Sequence, residues 1–237
     1  MINTSEFIDL VFENLKIVLD QEKTKKLNKY YEFLICGNKK TNLTRITAIT
    51  DVYYKHFYDS MAISLAVNFL NIENVLDVGS GAGFPGLVLA IVYPNVKFIL
   101  LDSLGKRIDF LNFVVNELKL LNVLVVKSRI EDFKVHNSFD LITARAFTNY
   151  PTFIEVVANL IAINGVVLAM KGKNYLNELQ NAQKLFNDLG YLYSGVVEVK
   201  LPFDYGDRNL IIIKKVAKCK RKIRSFIDLS KIYKTQQ

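Results

Sequence analysis

Apolar residues recur at spacings of three and four in two early segments. Over 5–19, Phe7, Leu10, Val11, Leu15 and Val18 share one face, which predicts an amphipathic helix capped by Thr4 or Ser5. Over 21–36, Leu27, Tyr30, Tyr31, Leu34 and Ile35 repeat the pattern, and Gly37 is placed to stop it. From Asn74 the period changes. Short β-rich runs (74–78, 96–101, 123–126, 139–143, 165–170) alternate with helical segments (84–92, 105–119, 150–161, 175–188). That alternation predicts a parallel sheet with helices on both faces. Two last runs, 194–200 and 209–214, are joined by a stretch holding Pro202, Asp204, Gly206 and Asp207, and no helix lies between them. They read as an antiparallel pair at the sheet's edge. The expected fold is α/β, a doubly wound sheet, mostly parallel, with an antiparallel C-terminal edge hairpin. The expected organisation is a helical region over 1–70 packed on the core, a sheet domain over 71–215 and a tail over 216–237.

Composition narrows the class. The chain has 237 residues, 51% of them hydrophobic, with four prolines and eleven glycines, which excludes a disordered or fibrous chain and allows a core without staples. Cys36 and Cys219 are far apart and lack metal-type spacing, so neither a disulfide framework nor a metal site is expected. The start, MINTSEFIDL, has no basic stretch followed by an apolar run, and the longest apolar stretch, 86–101, is broken by Pro94, Asn95 and Lys97. A soluble, cytoplasmic protein without a membrane partner is the expectation.

Charge is unevenly placed. Of 31 cations, nine lie between Lys214 and Lys234 with a single anion, Asp228, so the first 213 residues carry 22 charges of each sign. A basic tail on a neutral body suits docking to a polyanion, because each neutralised phosphate releases condensed counterions. A solvated, solubilising tail is the plainer reading of the same charges.

The densest chemistry lies at Val75–Gly86, VLDVGSGAGFPG: an apolar strand, a glycine-rich turn and a helix opening at Pro85. Gly79, Gly81 and Gly83 let a ligand approach the backbone near a helix N-terminus. Residues 81–86 form a literal GxGxxG, and Asp102 ends the next strand 21 residues after Gly81, so a dinucleotide site is formally possible. The details favour S-adenosylmethionine. Asp77, two residues before the first glycine, would repel a pyrophosphate but can face an ammonium group. Asp102 is placed to accept from both ribose hydroxyls.

Further motifs occur in order: NLT at 42–44, KHFYDS at 55–60, DVGSGAGFPG at 77–86, LLDSLGKR at 100–107, SRIEDF at 128–133, ARAF at 144–147 and MKG at 170–172. Together they resemble the bacterial small-subunit ribosomal RNA methyltransferase G family, also called glucose-inhibited division protein B, over about residues 40–215. The resemblance implies a class I, Rossmann-like methyltransferase that moves the methyl group of S-adenosylmethionine to N7 of one guanine in 16S ribosomal RNA. It implies cofactor contacts at Gly79 and Phe84, at Ile130 and Glu131 beside the adenine, and at Arg145. The family's usual SRAF is ARAF here, which keeps Arg145 and changes its neighbour.

The residues present also bear on the reaction. An Asn/Asp-Pro-Pro-aromatic corner, used on exocyclic amines, is replaced by Ala144-Arg145-Ala146-Phe147, and neither cysteine sits where a cytosine nucleophile would. Guanine N7 carries a free lone pair and needs no general base, so catalysis would be positioning. Arg145 is the expected holder of guanine or its phosphate, because its planar fork suits both. Lys106, Arg107 and Lys171 are candidate phosphate contacts. His56 reads as a hydrogen-bonded structural residue, and Tyr53, Tyr54, Phe57 and Tyr58 as packing. The partner expected is 16S ribosomal RNA within the small ribosomal subunit, met by a monomer. A nicotinamide oxidoreductase and a non-catalytic RNA-binding module are the competing classes. The first would need a catalytic acid or base, and residues 144–215 hold no histidine.

Overall fold

A computed structural model describes residues 4–173 and 175–224. Two helices open the chain, α1 (Thr4–Leu15) and α2 (Gln21–Thr41). The first already includes Thr4 and Ser5, and it ends at Leu15 rather than near 19, because Lys16 turns the backbone to φ +57°. The second runs through Gly37. A Cβ on that residue would stand 2.8 Å from the Phe110 ring, so the glycine is there for close helix packing, not for a stop. Asn42, in the left-handed conformation, supplies the cap instead.

A helical passage follows: α3 (Ile49–Val52), a π-helical turn (Tyr53–Tyr58) and α4 (Asp59–Met61). The sheet then begins. Strands β1 (Asn74–Val78), β2 (Lys97–Asp102), β3 (Val123–Lys127), β4 (Phe139–Arg145) and β5 (Ile161–Lys171) alternate with helices α5 (Gly86–Val92), α6 (Gly105–Glu117) and α7 (Tyr150–Val156). Helix α8 (Leu176–Leu189) leads to β6 (Tyr191–Lys200) and β7 (Asp207–Lys215). The strand order is β3-β2-β1-β4-β5-β7-β6, with β7 antiparallel to both neighbours. The hairpin expected at the edge is there, with β7 inserted beside β5. Helix α7 is shorter than the periodicity suggested; the apolar residues up to 161 belong to a turn and to the start of β5.

This topology positions the site. The chain winds from β1 towards β3 on one side and from β4 towards β6 on the other, so β1 and β4 flank the switch point, outside whose carboxyl ends ligands bind in such sheets. Gly79, Asp102 and Arg145 stand at the carboxyl ends of β1, β2 and β4.

The N-terminal helices share the core of the sheet face: Phe7, Val11, Leu27, Tyr30 and Leu34 pack in one buried cluster with Val75, Leu87 and Leu100. At the other end, part of the basic segment is built into the body. Glu155, with no exposed surface, accepts hydrogen bonds from Arg221 Nη2 (2.9 Å) and from Arg224 Nε and Nη2 (3.0 and 2.8 Å). Lys215 is buried, and its ammonium donates to the Leu189 carbonyl. These three cations satisfy internal acceptors, so part of the basic segment is spent on holding the fold. Lys231 and Lys234 lie outside the described residues.

Candidate active site

After β1 the backbone turns tightly. Gly79, Gly81 and Gly83 have φ of +71°, +60° and +102°. A Cβ at Gly83 would meet Leu87 Cδ1 at 2.4 Å and Tyr30 Oη at 2.6 Å, so the loop closes onto α2 only with glycine there. The Tyr30 hydroxyl donates to the Ala82 carbonyl at 2.5 Å, a support that sequence periodicity registers only as a core position. The loop amides then meet Asp102: Oδ2 accepts from Gly81 N (2.9 Å) and Oδ1 from Leu104 N (2.9 Å), with Arg107 Nη1 at 3.3 Å.

A cavity of about 300 Å³ opens here, lined by Gly79, Asp102, Arg107, Ile130, Glu131 and Phe147 among others. It brings together five of the residues singled out in the sequence from three separate motifs. Ile130 and Glu131 arrive on a 3-10 turn (Ile130–Asp132) that follows β3. Phe147 folds over Gly79, its Cδ2 standing 2.7 Å from where a Cβ would be, because Ala146 takes φ +54° at the end of β4. The residues fit an adenosyl group: a strand-end carboxylate for ribose, an apolar side chain with a carboxylate neighbour for adenine, and a side-chain-free turn for close backbone approach.

Asp77 is not among the residues lining the cavity. It is fully buried under the loop, with Oδ2 accepting from Gly86 N (3.0 Å) and Oδ1 without a partner. Burial pushes its carboxyl up to about 7, against the opposing pull of the Gly86 hydrogen bond. Asp77 therefore caps α5 from within.

Across the switch point a second constellation forms on side chains. Asp59, 1% exposed on α4, lies 3.4 Å from Arg145 Nη1 and 3.0 Å from Arg208 Nε. Burial pushes the Asp59 carboxyl above its ordinary value, and the two guanidiniums pull it back. Arg145 Nη1 also donates to the Lys55 carbonyl (3.2 Å) and to His56 Nδ1 (3.1 Å), and its guanidinium stacks 4.8 Å from the centre of the Phe84 ring. His56 Nδ1 thus lies between this guanidinium and the Lys55 carbonyl (3.0 Å), and Nε2 faces Thr44 Oγ1 at 2.9 Å. Burial, then the charge of Arg145, lowers the His56 pKa to about 3. The histidine is a neutral spacer, as its sequence context suggested. Tyr53, Tyr54, Phe57 and Tyr58 are buried around it.

The remaining sequence candidates divide. Lys106 is exposed and does not line the cavity. Lys171 donates to the Thr148 carbonyl (3.0 Å) and to Glu178 Oε2 (2.7 Å), which also accepts from Tyr150 N. It thus ties down the loop after β4. Arg208 escaped the sequence reading. It sits in a polar run, Asp207-Arg208-Asn209, that opens β7, and nothing local singles it out.

Sheet order, glycine turn and strand-end carboxylate define a class I S-adenosylmethionine-dependent methyltransferase. The YcgJ protein of Bacillus subtilis shares the fold, with a TM-score of 0.51 at 16% identity over 69% of this chain and 99% of that one. The sequence model described as rRNA small subunit methyltransferase G matches residues 23–211. The chain is 38% identical over 212 residues to ribosomal RNA small subunit methyltransferase G of Geobacillus kaustophilus, covering 88% of this chain and 89% of the relative. It is 41% identical over 202 residues to the protein of the same name from Staphylococcus epidermidis, covering 84% of each. The chain belongs to the rRNA small subunit methyltransferase G family and is an S-adenosylmethionine-dependent rRNA methyltransferase. The nicotinamide and non-catalytic readings fall with that membership. No helix among the described residues is long and apolar enough to cross a membrane.

Proposed function

We propose that the protein methylates N7 of a single guanine in 16S ribosomal RNA, acting as a cytoplasmic monomer on the small ribosomal subunit. The observation that carries the acceptor atom is the rim at the end of β4. It offers a half-buried guanidinium and a histidine held neutral and poorly basic, and among the described residues no carboxylate there is free of a guanidinium partner. Guanine N7 has a lone pair and no proton to lose, so it is the acceptor such a rim can serve.

S-adenosylmethionine, when bound, supplies an electrophilic methyl group. Gly79, Gly81 and Gly83 shape the turn that receives it, and the Phe84 ring lies between that turn and Arg145. Asp102 accepts from the ribose hydroxyls with the lone pairs not used by Gly81 and Leu104, and Ile130 and Glu131 hold the adenine. Asp77 sets the loop by fixing the first amide of α5. Arg145 spans both sides, touching cofactor and orienting the guanine nucleotide, and Phe147 keeps water from the turn. Lys106 meets RNA phosphate from outside; Lys171 is a positioning residue acting through the 146–149 loop. The rate enhancement then comes from orientation and from exclusion of water.

Labelled methyl transfer to small ribosomal subunits from cells lacking the modification tests this, with deproteinised RNA as a parallel substrate. Label recovered as 7-methylguanosine from one 16S site is expected. Label in another nucleotide, or transfer to no ribosomal RNA, contradicts it.

A further inference from the structure

Asp59 is an expensive residue to bury. A carboxylate with 1% exposure loses its hydration, and such pairs often add little stability compared with apolar packing. Here it serves two guanidiniums from distant parts of the chain, Arg145 at the end of β4 and Arg208 at the start of β7. Both are partly exposed on their outer sides, at 19% and 26%. Their inner donors are spent: Arg145 Nη1 on Lys55, His56 and Asp59, and Arg208 Nε and Nη1 on Asp59 and the Asp207 carbonyl. Among the described residues, Nε and Nη2 of Arg145 and Nη2 of Arg208 have no hydrogen-bond partner. Two cations on one anion leave a local charge of +1 on the rim.

We propose that Arg208 is a second RNA-contacting residue, paired with Arg145 through Asp59, and that the two guanidiniums together clamp one backbone phosphate beside the methylated nucleotide. The proposal rests on the rRNA-methylation reading and adds to it a residue and a ligand group. A phosphodiester matches the rim in charge and in acceptor number. The guanine base matches it less well, because the ring becomes cationic on methylation and two guanidiniums against it would oppose the product. Asp59 is then a positioning residue: it holds both forks at a fixed separation, so little side-chain entropy remains to be lost when RNA docks.

The test uses the full chain with Arg208→Ala, Arg208→Lys and Asp59→Asn. It measures affinity for 16S-containing small subunits between about 50 and 200 mM salt, the kcat and KM of methyl transfer, and S-adenosylmethionine binding by calorimetry. Arg208→Ala should raise KM for RNA roughly tenfold, lower the slope of log affinity against log salt by about 0.7–0.9, and leave cofactor affinity within about twofold. Arg208→Lys should recover the slope, since the charge is kept, but only part of KM, since the fork is lost. Asp59→Asn should raise KM with the slope kept, since both cations remain. An Arg208→Ala protein that melts earlier but keeps the wild-type slope and KM would overturn the clamp and leave Arg208 as a stitch between α4 and β7. Should Arg208→Ala fail to fold, an Arg208→Lys protein with wild-type KM overturns it equally. Wild-type protein that binds cofactor but never labels RNA would instead overturn the parent reading.

Discussion

The two flanks of the switch point are built from different materials. On the β1–β2 side the site is mostly backbone: three residues with positive φ, amides pointing at one carboxylate, and side chains withdrawn. On the β4–β7 side it is mostly side chain: Asp59, Arg145, His56 and Arg208, drawn from three segments and interlocked by hydrogen bonds of 3.1–3.4 Å. A backbone cradle is tolerant of the identity of its neighbours and suits a ligand that is always the same. A side-chain cluster costs desolvation and entropy, and it suits a partner that must be told apart from many similar nucleotides.

Breaking the side-chain flank should have the largest effect on chemistry. Arg145→Ala should slow single-turnover methyl transfer at saturating cofactor by about 10²–10³, the magnitude typical of losing one preorganised donor. Thermal unfolding should move little, because Asp59 retains Arg208. Breaking the backbone flank should show in the fold instead. Gly83→Ala places a methyl group 2.4 Å from Leu87 at φ +102°, and a loss of about 2–4 kcal/mol is expected in denaturant unfolding.

Outside both flanks, Glu155→Gln sharpens the comparison, since it removes a buried charge that holds the 221–224 segment and touches neither side. Burial works to raise Glu155, but the Arg224 hydrogen bonds and the Arg221 charge outweigh it and hold the carboxyl below its ordinary value. A cost of about 2 kcal/mol is expected, reduced from the fully buried case because the two arginines are about one-third exposed. Its contribution is present above the carboxyl's unfolded pKa and is lost on acidification. Chemical unfolding near neutral pH and in acid, compared between variant and parent, reads both.

A further effect lies in pH. His56 stays neutral in the fold down to about 3 but takes a proton in the unfolded chain near 6.5, so its share of stability rises with pH between those values. Asp77 has the opposite sign: it keeps its proton to about 7 in the fold and loses it at 3.8 when unfolded, so its share falls as pH rises across that window. From about pH 4 to 6.5 the two cancel. Asp77→Asn removes one of them and should steepen the stability curve by about 1.4 kcal/mol per pH unit over that window. An unchanged slope would contradict the burial of both groups as charge-free.

How legible each flank is follows from the same difference. The glycine turn, Asp102 and the Ile130–Glu131 turn are set by neighbours in sequence, and strand alternation alone puts them at one edge of the sheet. At Gly37, a glycine that admits a phenylalanine ring and one that ends a helix look alike until the partner, Phe110, is known. Strand position gives the depth of Asp77 along the sheet and not which side of the loop its carboxylate takes. In the basic tail, two arginines are anchored by Glu155, which lies 66 and 69 residues away and so leaves no local trace in the sequence. Arg208 is 149 residues from Asp59, and only the antiparallel insertion of β7 beside β5 brings them together.

The most direct test of the division between flanks is the dependence of single-turnover methyl transfer on S-adenosylmethionine concentration, measured side by side in Asp102→Asn and Arg145→Ala. The account predicts that excess cofactor restores Asp102→Asn to near the parent rate, while Arg145→Ala keeps a deficit of about a hundredfold or more at saturation. Full restoration of Arg145→Ala by cofactor, or an Asp102→Asn deficit that no concentration relieves, would contradict it.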